Sequence, residues 1–232
     1  MTRVERLPPP PDKPVRSPPV AVRGEVEARV QGLDARVHVP ASPRRAVVIC
    51  HPHPLYGGSM HSPVPLAIAK TLADLASEEV AWARFDFRGV GHSAGTYDDG
   101  RGEVEDARAV VGHLRSVVPG VPVALCGHSF GSWIALRAAA AEAPGTVERV
   151  LMVAPSTRFF GKWDDALAFS GPRAIFLGDR DEFCDVEEGR ALAARLGAEL
   201  RIFEGFDHHF MKSRRAMAEA ALAFVAPEVS AP

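Results

Sequence analysis

The sequence predicts an α/β protein: a mostly parallel central sheet with an antiparallel hairpin at its N-terminal edge and helices on both faces. Three observations carry this. Continuous apolar runs such as Ala46-Val47-Val48-Ile49-Cys50 suit strands covered on both sides. Amphipathic stretches of helical period alternate with those runs, the pattern of a parallel sheet wrapped by helices. Each polar cluster with chemical potential stands just after an apolar run, at the strand ends where such sheets hold ligands.

Residues 1–19 are dense in proline (Pro8 to Pro11, Pro14, Pro18, Pro19), which predicts a polyproline-type, disordered tail. Residues 20–227 then form a single domain. Residues 21–30 and 33–39 alternate apolar and polar side chains around Gln31-Gly32 and read as the hairpin. After the run 46–50, a helix is expected over 64–77, starting beyond Pro63, and a strand over 80–85. A glycine-rich loop leads to a helix over 103–118, in which Val104, Ala107, Val111, Leu114 and Val118 mark one apolar face. A strand over 121–126, a helix to residue 143 and strands over 150–153 and 173–177 continue the alternation. It closes with a helix over 186–196, a strand over 199–203 and a helix over 212–224. The segment 154–172 has two readings: a small aromatic cap built on Phe159, Phe160, Trp163 and Phe169, or one amphipathic helix packed on the core.

Composition narrows the class of function. At 232 residues, 47% hydrophobic and 24% charged, the chain can bury one large core. A net charge of −2 supplies no basic field for nucleic acid or a membrane surface, so neither is an expected partner. No apolar run approaches the roughly 18 residues of a membrane-spanning helix, and the N-terminus lacks a secretory apolar region. The three cysteines form no C-x-x-C pair, so a reducing, cytoplasmic setting is expected. A monomer or homodimer acting on a small molecule fits this profile.

The chemistry centres on Leu125-Cys126-Gly127-His128-Ser129-Phe130-Gly131-Ser132-Trp133, a strand that turns sharply into a helix. G-x-S-x-G at such a turn holds Ser129 in a strained backbone with its hydroxyl raised above the sheet. Glycine is required at 127 and 131 because a side chain there would strike the turn. The same turn aims the Phe130 N–H, at a helix N-terminus, toward a developing oxyanion. A base for Ser129 is available in Gly205-Phe206-Asp207-His208-His209, where His208 is favoured over His209 by its spacing from Gly205. An acid to hold the base's tautomer is available in Gly178-Asp179-Arg180-Asp181-Glu182; Asp181 is favoured, with Asp179 expected to cap the turn. A second oxyanion donor would come from the loop His51-Pro52-His53-Pro54-Leu55-Tyr56-Gly57-Gly58. H-x-H in that loop, with His61 nearby, could suggest zinc, but Pro52 and Pro54 bias the backbone and no carboxylate or thiolate follows as a third ligand at useful spacing, and His51 reads as a hydrogen-bonding residue that shapes the loop. Arg84 to Ser93 reads as a tight structural loop, since its glycine spacing is wrong for a dinucleotide.

Taken together these stretches resemble the α/β-hydrolase superfamily. They are most similar to compact bacterial hydrolases patterned H-P-H-P-x-x-G-G, R-F-[DN]-F-R-G-V-G-x-S, G-x-S-F-G, G-x-x-D and G-x-D-H-F, over residues 20–225. The resemblance implies an α/β-hydrolase fold with a minimal lid, Ser129 as nucleophile, His208 as base and Asp181 as orienting acid. It implies the Phe130 N–H and one N–H of the 51–58 loop as oxyanion donors. Matching His51-Pro52 to the family's usual H-G pair selects His53, while matching His53-Pro54 selects Leu55; the smaller insertion before Gly57 favours Leu55. His209 stands where the family often has phenylalanine. No cofactor is implied. The expected reaction is hydrolysis of short or exposed carboxylic esters through an acyl-enzyme, with thioesterase, peptidase, lyase and silent binding-protein readings as alternatives.

Overall fold

A computed structural model describes residues 7–160, 163 and 168–230. Its eight-stranded sheet runs in the order β1-β2-β4-β3-β5-β6-β7-β8. The strands are β1 (Val26–Val30), β2 (Leu33–His38), β3 (Arg45–Cys50), β4 (Val80–Phe85), β5 (Val123–His128), β6 (Arg149–Val153), β7 (Arg173–Gly178) and β8 (Glu199–Phe203). The pairs β1–β2 and β2–β4 are antiparallel; all others are parallel.

The leading hairpin closes as its sequence suggests. Gln31 and Gly32 take φ of 49° and 88° between the paired Val30 and Leu33. Positive φ at both central residues gives the tight turn whose twist matches paired strands. Helices α1 (Pro63–Leu75), α2 (Arg101–Val117), α3 (Phe130–Ala141), α4 (Val186–Leu196) and α5 (Arg214–Val225) follow the expected alternation, with a short helical turn, Pro227–Ser230, after the last.

Two apolar layers result. Side chains of one sheet face pack with Val104, Leu114, Leu136 and Leu192 of α2, α3 and α4; those of the other pack with Ile68, Leu72, Met217 and Leu222 of α1 and α5. Phe160, Trp163 and Phe169 belong to the first layer, so the described part of the 154–172 segment packs on the core.

Two buried charges bind the layers to the chain ends. Arg84 on β4 is fully buried and pairs with Glu25 at 2.6 Å, and Glu25 also accepts from the Trp82 indole. Arg45 on β3 pairs with Glu148 and with Glu228 of the last helical turn. Among the described residues no helix is long and apolar enough to cross a membrane.

The strand order sets the place of the site. From β3 the chain passes to β4 on one side and returns to β5 on the other. The loops after β3 and β5 therefore diverge from neighbouring strands and leave a crevice at the carboxyl end of the sheet.

Candidate active site

The crevice is opened by the β5–α3 elbow. Ser129 sits at φ 54°, ψ −118°, outside the usual regions for a residue with a side chain. The turn is held on both sides: the Ser129 N–H donates to Val153 O at 2.9 Å, and the Ser132 hydroxyl donates to Gly127 O and Val153 O. A Cβ at Gly131 would lie 2.5 Å from Cys50 O and 2.6 Å from His51 O, and one at Gly127 would strike the Gly131 carbonyl. The glycines are thus required by contact with β3 and by the turn itself. Phe130, the first residue of α3, has an N–H with no intrahelical acceptor.

His208 and Asp181 meet below the elbow. His208 Nδ1 lies 3.0 Å and 2.9 Å from the two carboxylate oxygens of Asp181. Asp181 Oδ1 also accepts from the N–H groups of Phe183 (2.8 Å) and Cys184 (3.2 Å). The carboxylate is thereby fixed, with its side chain fully covered. Such an anion favours the proton on Nδ1 and leaves Nε2 as the basic nitrogen. Phe183 packs edge-on to the His208 ring at 4.7 Å. Asp179, two residues away, turns instead to the Gly205 N–H at 2.6 Å and ties the β7 and β8 loops together. His209 is exposed and accompanies His208 on the cavity wall.

Ser129 and His208 face one cavity of about 360 Å³. In this structure Ser129 Oγ has no hydrogen-bond partner among the described residues; small rotations of serine and imidazole commonly tighten such contacts when substrate binds. Rings of His53, Tyr56, Phe159, Phe160 and Phe183 face it, and none of its described residues is Asp, Glu, Lys or Arg.

His51 and His53 do different work in the loop after β3. His51 is fully buried, donates through Nδ1 to Pro52 O and accepts the Phe87 N–H on Nε2, which joins this loop to the one after β4. Burial lowers its pKa to about 3, so the ring is neutral. His53 is likewise held down, to about 4, by burial. Its Nδ1 accepts the Leu55 N–H at 3.2 Å, and its Nε2 meets the Tyr97 hydroxyl at 3.2 Å. This differs from the expectation for Leu55. Residues Pro54–Tyr56 form a single 3₁₀ turn capped by His53, which consumes the Leu55 N–H. The His53 N–H has no acceptor among the described residues, and His53 lines the cavity. All four ring nitrogens of the H-x-H pair are engaged within the chain.

The 84–93 segment is tied to its neighbours by hydrogen bonds. Asp86 accepts the Met60 N–H at 2.7 Å, Arg88 grips Asp106, and Ser93 bridges Asp86 O to the Asp34 N–H. One contributor escaped sequence reasoning. His128, immediately before the nucleophile candidate, is buried and donates through Nε2 to the His208 carbonyl at 3.0 Å. Its position inside G-H-S was visible, but a link spanning 80 residues has no local signal.

Known proteins share this fold. Residues 41–163 match the Hydrolase_4 family model, described as serine aminopeptidase, S33. The uncharacterized protein RP471 of Rickettsia prowazekii is 31% identical over 194 residues, covering 79% of each chain. An alpha-beta serine hydrolase homologue from Coxiella burnetii superimposes with a TM-score of 0.77 at 30% identity, over 90% of this chain and 100% of that one. XC6422 from Xanthomonas campestris, described as an a/b serine hydrolase without lid, gives a TM-score of 0.75 at 30% identity, over 93% and 100% of the two chains.

Proposed function

Since the chain belongs to the α/β serine hydrolase family matched by that model, we propose that it is a carboxylic ester hydrolase acting through Ser129, His208 and Asp181. Ser129 Oγ attacks the ester carbonyl while His208 Nε2 takes its proton; the C–O bond then breaks, and His208 returns the proton to the departing alcohol. Water, deprotonated by the same nitrogen, releases the acid and restores the serine. Asp181 holds the Nδ1–H tautomer and steadies the imidazolium that forms in each half-reaction. The Phe130 N–H and the His53 N–H, rather than that of Leu55, are the donors for the oxyanion.

One observation carries the choice of ester over peptide. An aminopeptidase must hold a free α-ammonium, which requires a carboxylate or a cluster of acceptors beside the scissile bond. Among the described residues, the cavity around Ser129 is lined instead without Asp, Glu, Lys or Arg, and Tyr56, Phe159, Phe160 and Phe183 supply apolar rings. Such a wall suits an uncharged acyl group, and the site's volume of about 360 Å³ suits a short or compact one.

The test begins with a fluorophosphonate probe on the full chain beside Ser129→Ala. It continues with p-nitrophenyl esters of increasing length and with amino-acid p-nitroanilides. Labelling confined to the wild type, with turnover of short esters, is expected. Preferred turnover of the anilides would overturn the ester reading, and an unlabelled but folded wild type would overturn the activated serine.

A further inference from the structure

The segment expected as a free tail reaches the cavity. Residues 1–6 lie outside the described residues; residues 7–20 cross the loop after β3 as irregular chain. Its root is tied at Val20, whose N–H donates to His61 Nδ1 at 3.1 Å and whose carbonyl accepts from Arg84 Nη2 at 2.7 Å. Arg84 is itself fixed by the buried pair with Glu25. Farther out, the Arg16 guanidinium donates to Gly58 O, and the Val15 carbonyl rests where a Cβ on Gly57 would otherwise stand. At the far end the Tyr56 hydroxyl donates to Pro8 O.

Leu7 is partly buried against the core layer that contains Phe160, and Leu7, Pro8 and Ser17 share the cavity wall with Ser129 and His208. The prolines between these contacts limit the freedom of the undocked chain, so ordering it costs less entropy than for an ordinary segment.

We propose that this N-terminal strap is the specificity wall of the site: Leu7 and Pro8 close the end of the acyl cavity and limit the length of the group it accepts. The proposal rests on the hydrolase reading above. Phe159 and Phe160 of the short β6–β7 segment line one part of the cavity, and a segment from the other end of the chain lines another. Arg16 acts as a positioning residue, since its bond to Gly58 O clamps the strap to the loop that carries His53.

The test compares full-length wild type, Leu7→Ala and Leu7→Trp on acetyl and octanoyl p-nitrophenyl esters. Filling or emptying an apolar subsite by one or more methylenes changes kcat/KM by roughly tenfold or more. Leu7→Ala should therefore raise the octanoyl-to-acetyl ratio about tenfold, and Leu7→Trp should lower it by a similar factor. Ratios within about twofold of the wild type in both variants would overturn the proposal while leaving the esterase reading intact. Should no ester be turned over, the same ratio is read from the rates at which ethyl and octyl fluorophosphonates label Ser129, which separates the two failures. Hydrogen exchange supplies a readout independent of any chemistry: slowed exchange at the Val20 amide is expected, and free-chain exchange there would overturn docking.

Discussion

Replacing Asp181 by asparagine tests the proposed relay at its least accessible point. Asp181 Oδ1 accepts the Phe183 and Cys184 N–H groups, so in Asp181→Asn the amide oxygen is the atom that can remain there. The NH₂ group then takes the position of Oδ2, 2.9 Å from His208 Nδ1. A donor at that point favours Nδ1 as acceptor and the proton on Nε2, because the retained oxygen, 3.0 Å from Nδ1, already accepts the Phe183 and Cys184 N–H groups. In that tautomer the imidazole can no longer receive the Ser129 proton, although its ring has barely moved. Loss of the correct tautomer costs about 10⁴-fold in kcat in triads of this kind, or about 5.4 kcal/mol of barrier. KM should change little, because the carboxylate does not face the cavity. The assay is steady-state hydrolysis of a p-nitrophenyl ester beside a fluorophosphonate labelling time course, with thermal unfolding to show that the fold survives. A folded variant within about tenfold of wild-type kcat would refute the tautomer argument.

Three further outcomes follow from the same geometry. Ser129→Gly relieves a backbone held at φ 54°, ψ −118° and should raise stability by about 1–2 kcal/mol in urea unfolding while abolishing labelling; an unchanged or lower stability would mean that the strain is absent. Gly131→Ala should cost about 2–4 kcal/mol, because its Cβ would lie 2.5 Å from the Cys50 carbonyl and β3 or α3 must move; a loss under about 0.5 kcal/mol would contradict that packing. The third concerns acid. Burial holds His51 at about 3 and His53 at about 4 in the folded state, against 6.5 for an ordinary histidine, so the unfolded chain binds protons first. Their contribution is therefore fully present above pH 6.5 and is lost as pH falls toward those values, at about 1.4 kcal/mol per pH unit per proton. Asp86, raised to about 6 by burial from 3.8, has the opposite sign and offsets one proton between those values. Urea midpoints should thus decline from pH 6.5 toward pH 4, and a flat profile would show that these imidazoles are not buried neutral.

The fold was legible in the sequence because its signals are local. Apolar runs for doubly covered strands, Gln31-Gly32 for a turn with two positive φ values, and helical periodicity in residues 103–118 each depend on residues within a few positions of one another. The elbow belongs in part to the same class. At Gly127 the clash is with the turn itself, as anticipated, whereas at Gly131 it is with the Cys50 and His51 carbonyls at the end of β3, a contact that no local pattern shows. Sequence spacing also favoured Asp181 over Asp179, and the two carboxylates do take different partners, His208 for one and the Gly205 N–H for the other.

What needed the tertiary structure are the contacts whose partners lie far apart in the chain or compete for one group. The His53 ring captures the Leu55 N–H once residues 54–56 wind into a 3₁₀ turn, so choosing between two aligned donors required the loop's shape and not its letters. His128 reaches the His208 carbonyl across 80 residues, and Arg84 holds Val20 across 64. Most of all, the proline-rich composition of residues 1–19 speaks only for the unbound chain. Composition records how little core a segment can make by itself. Whether it docks depends on surfaces that other residues build, here Tyr56, Gly57, His61 and Arg84, and those exist only after the sheet has formed.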